Sequence, residues 1–119
     1  MSRPVIGFAG ITHLGLNSAV AAAERGFDVV GFDERAAVIS SLARGDLPVV
    51  EPDLPELFNE NSTRLSWTNH VPDLARCEVV YIAADVPTDD QGQSKLSGIR
   101  SLIDTVRAAI SKDAILVVL

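Results

Sequence analysis

Short β-branched apolar runs recur along the chain: Val5 to Ala9, Val29 to Phe32, Leu65 to Thr68, Val79 to Ala84 and Ile115 to Leu119. They read as strands. Most are apolar on successive rather than alternate residues, the pattern of a strand covered by helices on both faces, and hence of a parallel sheet. Between the first two runs, Gly15, Ala19, Ala22 and Ala23 fall at i, i+4, i+7 and i+8. That spacing lines one helical face with small side chains and lets the helix sit close to the sheet. Gly26 supplies the left-handed residue that ends it. Ile99, Leu102, Ile103, Val106 and Ile110 predict an amphipathic helix over Gly98 to Ser111, with Arg100, Asp104 and Arg107 on its wet side. The stripe Val38, Ile39 and Leu42 predicts another over Glu34 to Arg44, stopped by Gly45.

Strand and helix alternating up to a fifth strand predict an α/β chain, a doubly wound parallel sheet in three α/β/α layers with right-handed crossovers. Two loops are expected: Gly45 to Pro55, with three prolines, and Asp85 to Lys95, rich in Asp, Gln and Gly. The second follows the fourth strand, at the carboxyl edge where such sheets meet their ligands. The last run, Ile115 to Leu119, ends with no following helix. A fragment truncated at the C-terminal edge of the sheet is therefore expected, with an exposed strand that promotes self-association.

At 119 residues the chain is read as one domain, with enough core to fold without disulfide or metal. The net charge of −6 argues against nucleic acid as a partner, because no excess of Lys and Arg exists to displace counterions. No apolar run approaches the ~18 residues needed to span a bilayer, and no secretory leader is evident. The lone cysteine, Cys77, has no partner in the chain, which fits a reducing, cytoplasmic setting and a packing role. In that setting the Asn61-Ser62-Thr63 triplet is no glycosylation acceptor.

The candidate chemistry lies where the first strand ends. Gly10-Ile11-Thr12-His13-Leu14-Gly15 has the layout of G-x-G-x-x-G, with threonine at the second glycine. In the full pattern the first glycine makes a tight turn, the second admits a pyrophosphate, and the third permits close helix–strand packing. Thr12 is expected either to push the pyrophosphate outward or to offer its hydroxyl as a substitute donor. Asp33 ends the second strand, 18 residues after Gly15, where a Rossmann-type fold places an acid on the two hydroxyls of the adenosine ribose. Its carboxylate would repel a 2′-phosphate and so favours NAD over NADP, and Arg35 would partly offset that repulsion. His13 and His70 lie at helix starts without metal-ligand spacing and read as surface or capping residues. Asp85, Asp89 and Asp90 read as a solvated acidic loop rather than a metal site. Trp67 reads as a core or inter-domain contact.

With the stretches Ile6 to Leu16, Val30-Gly-Phe-Asp33, Pro48-Val-Val-Glu-Pro-Asp-Leu54 and Tyr81-Ile-Ala-Ala-Asp-Val-Pro-Thr88, nearly the whole chain resembles the UDP-glucose/GDP-mannose dehydrogenase family. The resemblance implies the N-terminal NAD-binding domain of an enzyme of the UDP-glucose 6-dehydrogenase kind. Such enzymes oxidise the C6 hydroxymethyl of a nucleotide sugar to a carboxylate with two NAD, through a cysteine-bound intermediate, in polysaccharide synthesis. It further implies a catalytic cysteine and lysine in later domains, a full-length homo-oligomer, and no catalysis by this chain alone. Carried over residue by residue, the backbone at His13 and Leu14 would meet the pyrophosphate, Asp33 the ribose, and Pro87 with Thr88 the nicotinamide half. Three positions depart from the family pattern: Thr12 for glycine, Val38 where a basic residue is frequent, and Asp85 inserted before Val86-Pro87-Thr88. A stand-alone regulatory nucleotide-binding module is the rival reading. A hydroxyacid-type dehydrogenase is a weaker one, against which the V-P-T element argues.

Overall fold

The computed structural model describes residues 4–47, 51–84 and 97–119. Five strands, β1 (Val5–Ala9), β2 (Asp28–Phe32), β3 (Leu65–Thr68), β4 (Val79–Ile82) and β5 (Ile115–Val118), form a parallel sheet in the order β3-β2-β1-β4-β5. Four α-helices are described: α1 (His13–Glu24), α2 (Ala36–Ala43), α3 (Leu54–Glu60) and α4 (Ser97–Ala109). The unbroken apolar runs are explained by the two cores they serve. Phe8 and Val29 point into a cluster with Leu16, Val20, Leu42, Leu54 and Phe58, under α1, α2 and α3. Their neighbours Ala9 and Val30 point the other way, with Val80 and Ile82, onto Leu74 and the α4 residues Leu102 and Val106. Each of those two α4 side chains stabilises the docked helix by about 1.5–3 kcal/mol on burial. The expected three layers, doubly wound around β1, are therefore present.

Helix α1 buries Gly15, Leu16, Ala19, Val20 and Ala23, a face made of three residues of the small-residue stripe and two larger side chains beside it, while Ala22 of the stripe is only partly buried. Gly26 (φ 97°) follows α1 and Gly45 (φ 81°) follows α2, both left-handed as their positions required. Gly31 has a different task. A Cβ there would lie 2.3 Å from the Trp67 ring, so the absence of a side chain on β2 lets the indole of the registered β3 residue lie across it. Trp67 also stacks on Phe58 of α3, with ring centroids 5.8 Å apart and planes 6° from parallel. It is a packing residue of this domain, the first of its two expected roles.

Three expectations need correction. The segment expected as a loop from Gly45 to Pro55 ends in α3, where Asp53 turns the chain with φ 67° and Pro55 sits in the first helical turn, a position that needs no N–H partner. The crossover from β3 to β4 is a 3₁₀ segment, Val71–Arg76, rather than an α-helix. The fourth strand stops at Ile82 rather than Ala84, because the Ala83 carbonyl turns from the ladder to accept the Thr12 hydroxyl, although the Ala83 N–H still reaches the Ala9 carbonyl at 2.8 Å. β3 and β5 are the edges of the sheet, and Ile115, Val118 and Leu119 are each at least half exposed. Among the described residues no helix is long and apolar enough to cross a membrane.

Candidate functional site

The sheet winds in opposite directions from β1, so the gap between the carboxyl ends of β1 and β4 is its switch point, where ligand crevices of doubly wound sheets form. A cleft of about 290 Å³ lies there, lined by Gly10, Thr12, Asp33, Arg35, Ala84 and Leu102 among others. Its floor depends on two glycines. Gly10 leaves β1 with φ 96°, and a Cβ on it would sit 2.8 Å from the Ala84 nitrogen. At Gly15 a Cβ would be 2.1 Å from the Gly10 carbonyl oxygen. The first and third glycines thus do the work the spacing predicted, a tight turn and close helix packing.

Thr12 caps α1. Its Oγ1 accepts the Gly15 N–H at 3.2 Å and donates its one proton to the Ala83 carbonyl at 2.7 Å, across 71 residues of chain. The hydroxyl is therefore spent within the protein, and the expectation that it substitutes as a donor to a pyrophosphate does not fit this arrangement. The N–H groups of His13 and Leu14, first and second in the helix, have no acceptor within it and lie at its positive end. An anion binds such a terminus without further apparatus.

Asp33 follows β2, buried, with its N–H held by the Thr68 carbonyl. Its carboxylate accepts four bonds of 2.9 Å: the Ile11 N–H and Arg35 Nη2 on Oδ2, and the Arg35 N–H and Nε on Oδ1. Burial alone would raise its pKa, and this is the largest single influence. The bonds from the Arg35 side chain, the Arg35 N–H and the Ile11 N–H, with the Arg35 charge, together outweigh it and hold the carboxyl below the ordinary carboxylate value. The site thus places a buried, ionised carboxylate at one end and the N–H groups of a helix N-terminus at the other.

His13, the first residue of α1, is more than half exposed and pairs with Glu51. The cap belongs to Thr12, so His13 fills the surface role of the two expected for it. Glu51 was legible only as part of the E-P-D-L element. No local pattern signals a partner 38 positions away. Ile11 and Ala83 were also missed, because they act through backbone groups. His70 precedes the Val71–Arg76 turn and makes no side-chain cap bond. Cys77 is buried, its Sγ within 3.0 Å of where a Gly7 Cβ would stand, and burial pushes its thiol up to about 11 against a small opposing pull from Arg76. Val38 packs partly buried against the α1 side core. Asp85, Val86, Pro87, Thr88, Asp89 and Asp90 lie outside the described residues.

The profile of the UDP-glucose/GDP-mannose dehydrogenase family, NAD binding domain, matches residues 5–119. The chain is 33% identical over 104 residues to UDP-glucose 6-dehydrogenase TuaD of Bacillus subtilis, a match covering 85% of this chain and 23% of that protein. It is 31% identical over 116 residues to UDP-glucose 6-dehydrogenase of Rickettsia bellii, covering 95% of this chain and 27% of that one. Among solved structures, UDP-D-ManNAc dehydrogenase from Pyrococcus horikoshii aligns with a TM-score of 0.89 at 28% identity, over 96% of this chain and 28% of its own. A ternary complex of GDP-mannose dehydrogenase from Pseudomonas aeruginosa aligns with a TM-score of 0.87 at 26% identity, over 95% and 27%. The chain spans about a quarter of the length of these relatives.

Proposed function

Since the chain belongs to the UDP-glucose/GDP-mannose dehydrogenase family and matches its NAD-binding domain, we propose that it is the cofactor half of an enzyme oxidising the C6 hydroxymethyl of a UDP- or GDP-sugar to a carboxylate. The observation that carries the reading is the pairing, across one cleft at the switch point, of the α1 N-terminus with the buried Asp33 carboxylate. These groups fit the two halves of an adenosine diphosphate moiety: backbone N–H donors at His13 and Leu14 for the pyrophosphate, and acceptors on Asp33 for the ribose. Gly10, Thr12 and Gly15 shape the turn that lets the ligand approach. Pro87 and Thr88 are proposed to meet the nicotinamide half, supported by the likeness of the V-P-T element to the family. NAD, when bound, supplies the hydride acceptor. The chain's part is to bind and orient it.

The sugar-binding pocket and the catalytic groups are proposed to lie on other domains of a longer, homo-oligomeric polypeptide, since relatives are about four times this length and the buried Cys77 thiol is no nucleophile. Synthesis of uronic acids for polysaccharide, in the cytoplasm, is the setting this implies. Calorimetric titration of the chain with NAD, NADP and UDP-glucose in parallel tests the reading. Heat with NAD, less with NADP and none with UDP-glucose is expected. Binding of neither dinucleotide would overturn it.

A further inference from the structure

We propose that Arg35 is a built-in competitor for the ribose position and thereby sets the cofactor selectivity of the site, an inference that rests on the reading of the cleft as a dinucleotide site. A carboxylate has about four lone-pair positions, and all four on Asp33 are filled. Two donors are backbone N–H groups, Ile11 on one oxygen and Arg35 on the other, which the fold holds in place. The remaining two, again one on each oxygen, are Nε and Nη2 of the Arg35 guanidinium. A vicinal cis-diol is also a pair of adjacent donors, and it needs one acceptor on each oxygen. The positions open to a ribose are therefore those the guanidinium occupies, and binding is an exchange of two donors for two.

The exchange is feasible because the two partners differ in burial. The Asp33 side chain is 6% exposed and fixed by backbone, whereas the Arg35 side chain is 63% exposed and sits on the cleft wall. A guanidinium fork on a carboxylate is a strong, charge-assisted pair, so neutral hydroxyls replace it at a cost to NAD affinity. A 2′-phosphate meets the opposite situation. The cation beside Asp33 offsets the repulsion that would otherwise exclude it. Arg35 thus weakens NAD and assists NADP, narrowing the margin between them.

The test is titration of the wild-type chain, Arg35→Ala and Arg35→Lys with NAD and with NADP, each variant's folding checked by thermal unfolding. Arg35→Ala should tighten NAD about three-fold or more, the scale of a largely exposed ion pair, and weaken NADP. Arg35→Lys, which keeps the charge and loses the fork, should tighten NAD while retaining NADP. Weaker or unchanged NAD binding by Arg35→Ala, with NAD bound by the wild type, overturns this inference and leaves the cofactor reading intact. Arg35→Lys binding NAD like the wild type also overturns it. Failure of the wild type and both variants to bind NAD would remove the cofactor reading itself, and this inference with it.

Discussion

Replacing Gly15 with alanine isolates the close approach of α1 to the turn after β1. The added Cβ would sit 2.1 Å from the Gly10 carbonyl oxygen and 3.3 Å from the Ala83 Cβ. Ordinary contact at a Cβ begins at 3.4 Å, so helix and turn must part by more than about 1 Å, and the oxygen met is backbone rather than the end of a flexible side chain. Gly10 is tied by its N–H to the Phe32 carbonyl at 2.8 Å, and the Thr12 bonds pin the helix start. Overpacking of this kind costs about 1–3 kcal/mol or more, while alanine recovers up to about 1 kcal/mol of helix propensity over glycine. A net loss of about 1–2 kcal/mol follows, a fall in Tm of roughly 4–8 °C for a chain of this size. Gly98 in the first turn of α4 is the control, since a Cβ there meets nothing within 4 Å. The same substitution at Gly98 should stabilise by a few tenths to about 1 kcal/mol. Thermal unfolding followed by circular dichroism reads both. A Gly15→Ala chain as stable as the wild type would refute the reasoning, because propensity alone would then govern both sites.

Asp33 titrates below the ordinary carboxylate value in the folded chain, so the unfolded chain takes up the proton first as pH falls. The stability it confers is present above about pH 4 and is lost as pH falls through the depressed native value. In urea unfolding across that range, Asp33→Asn should remove that part of the acid slope, and an unchanged slope would count against it. Thr12→Val keeps the shape and deletes the hydroxyl, leaving the Gly15 N–H and Ala83 carbonyl without it. Urea denaturation should show a loss of about 1–3 kcal/mol. Gly31→Val would drive a side chain into the Trp67 ring, and the tryptophan fluorescence of the native state should shift to the red or the chain fail to fold. Cys77, raised to about 11 by burial, should react with a thiol reagent at pH 8 only after denaturant is added. Rapid labelling of the native chain would contradict its burial.

The inner strands β1, β2 and β4 were legible because each serves two cores, which writes apolar residues at consecutive positions. The glycine ends of α1 and α2 were legible because left-handed backbone narrows the choice of residue. Helix α3 was not, since Pro52, Asp53 and Pro55 are individually turn-like and only Leu54 and Phe58 of its seven residues are fully buried, with Leu57 partly so. The cleft was partly legible: Gly10, Gly15 and Asp33 follow from local spacing, but the uses of Thr12 and Glu51 depend on Ala83 and His13, distant in sequence. Asp33 could be named as an acceptor from its place after β2. That its four lone pairs are already filled could not, because three of the four bonds depend on how Ile11 and the Arg35 side chain turn toward it.

The bond between Thr12 and Ala83 also orders events in time. Closing a loop of 71 residues costs entropy that no local contact offsets, so although the cap bond to the Gly15 N–H is local, the bond to Ala83 cannot form until β4 has docked beside β1. The turn at Gly10, the acid after β2 and the carbonyl after β4 come from three separate strands, and the cleft between them is among the last features a refolding chain completes. Regain of dinucleotide binding would therefore lag behind regain of helical signal, and ligand retention is a sensitive gauge of whether the whole sheet, rather than its β1–β2 half, has formed.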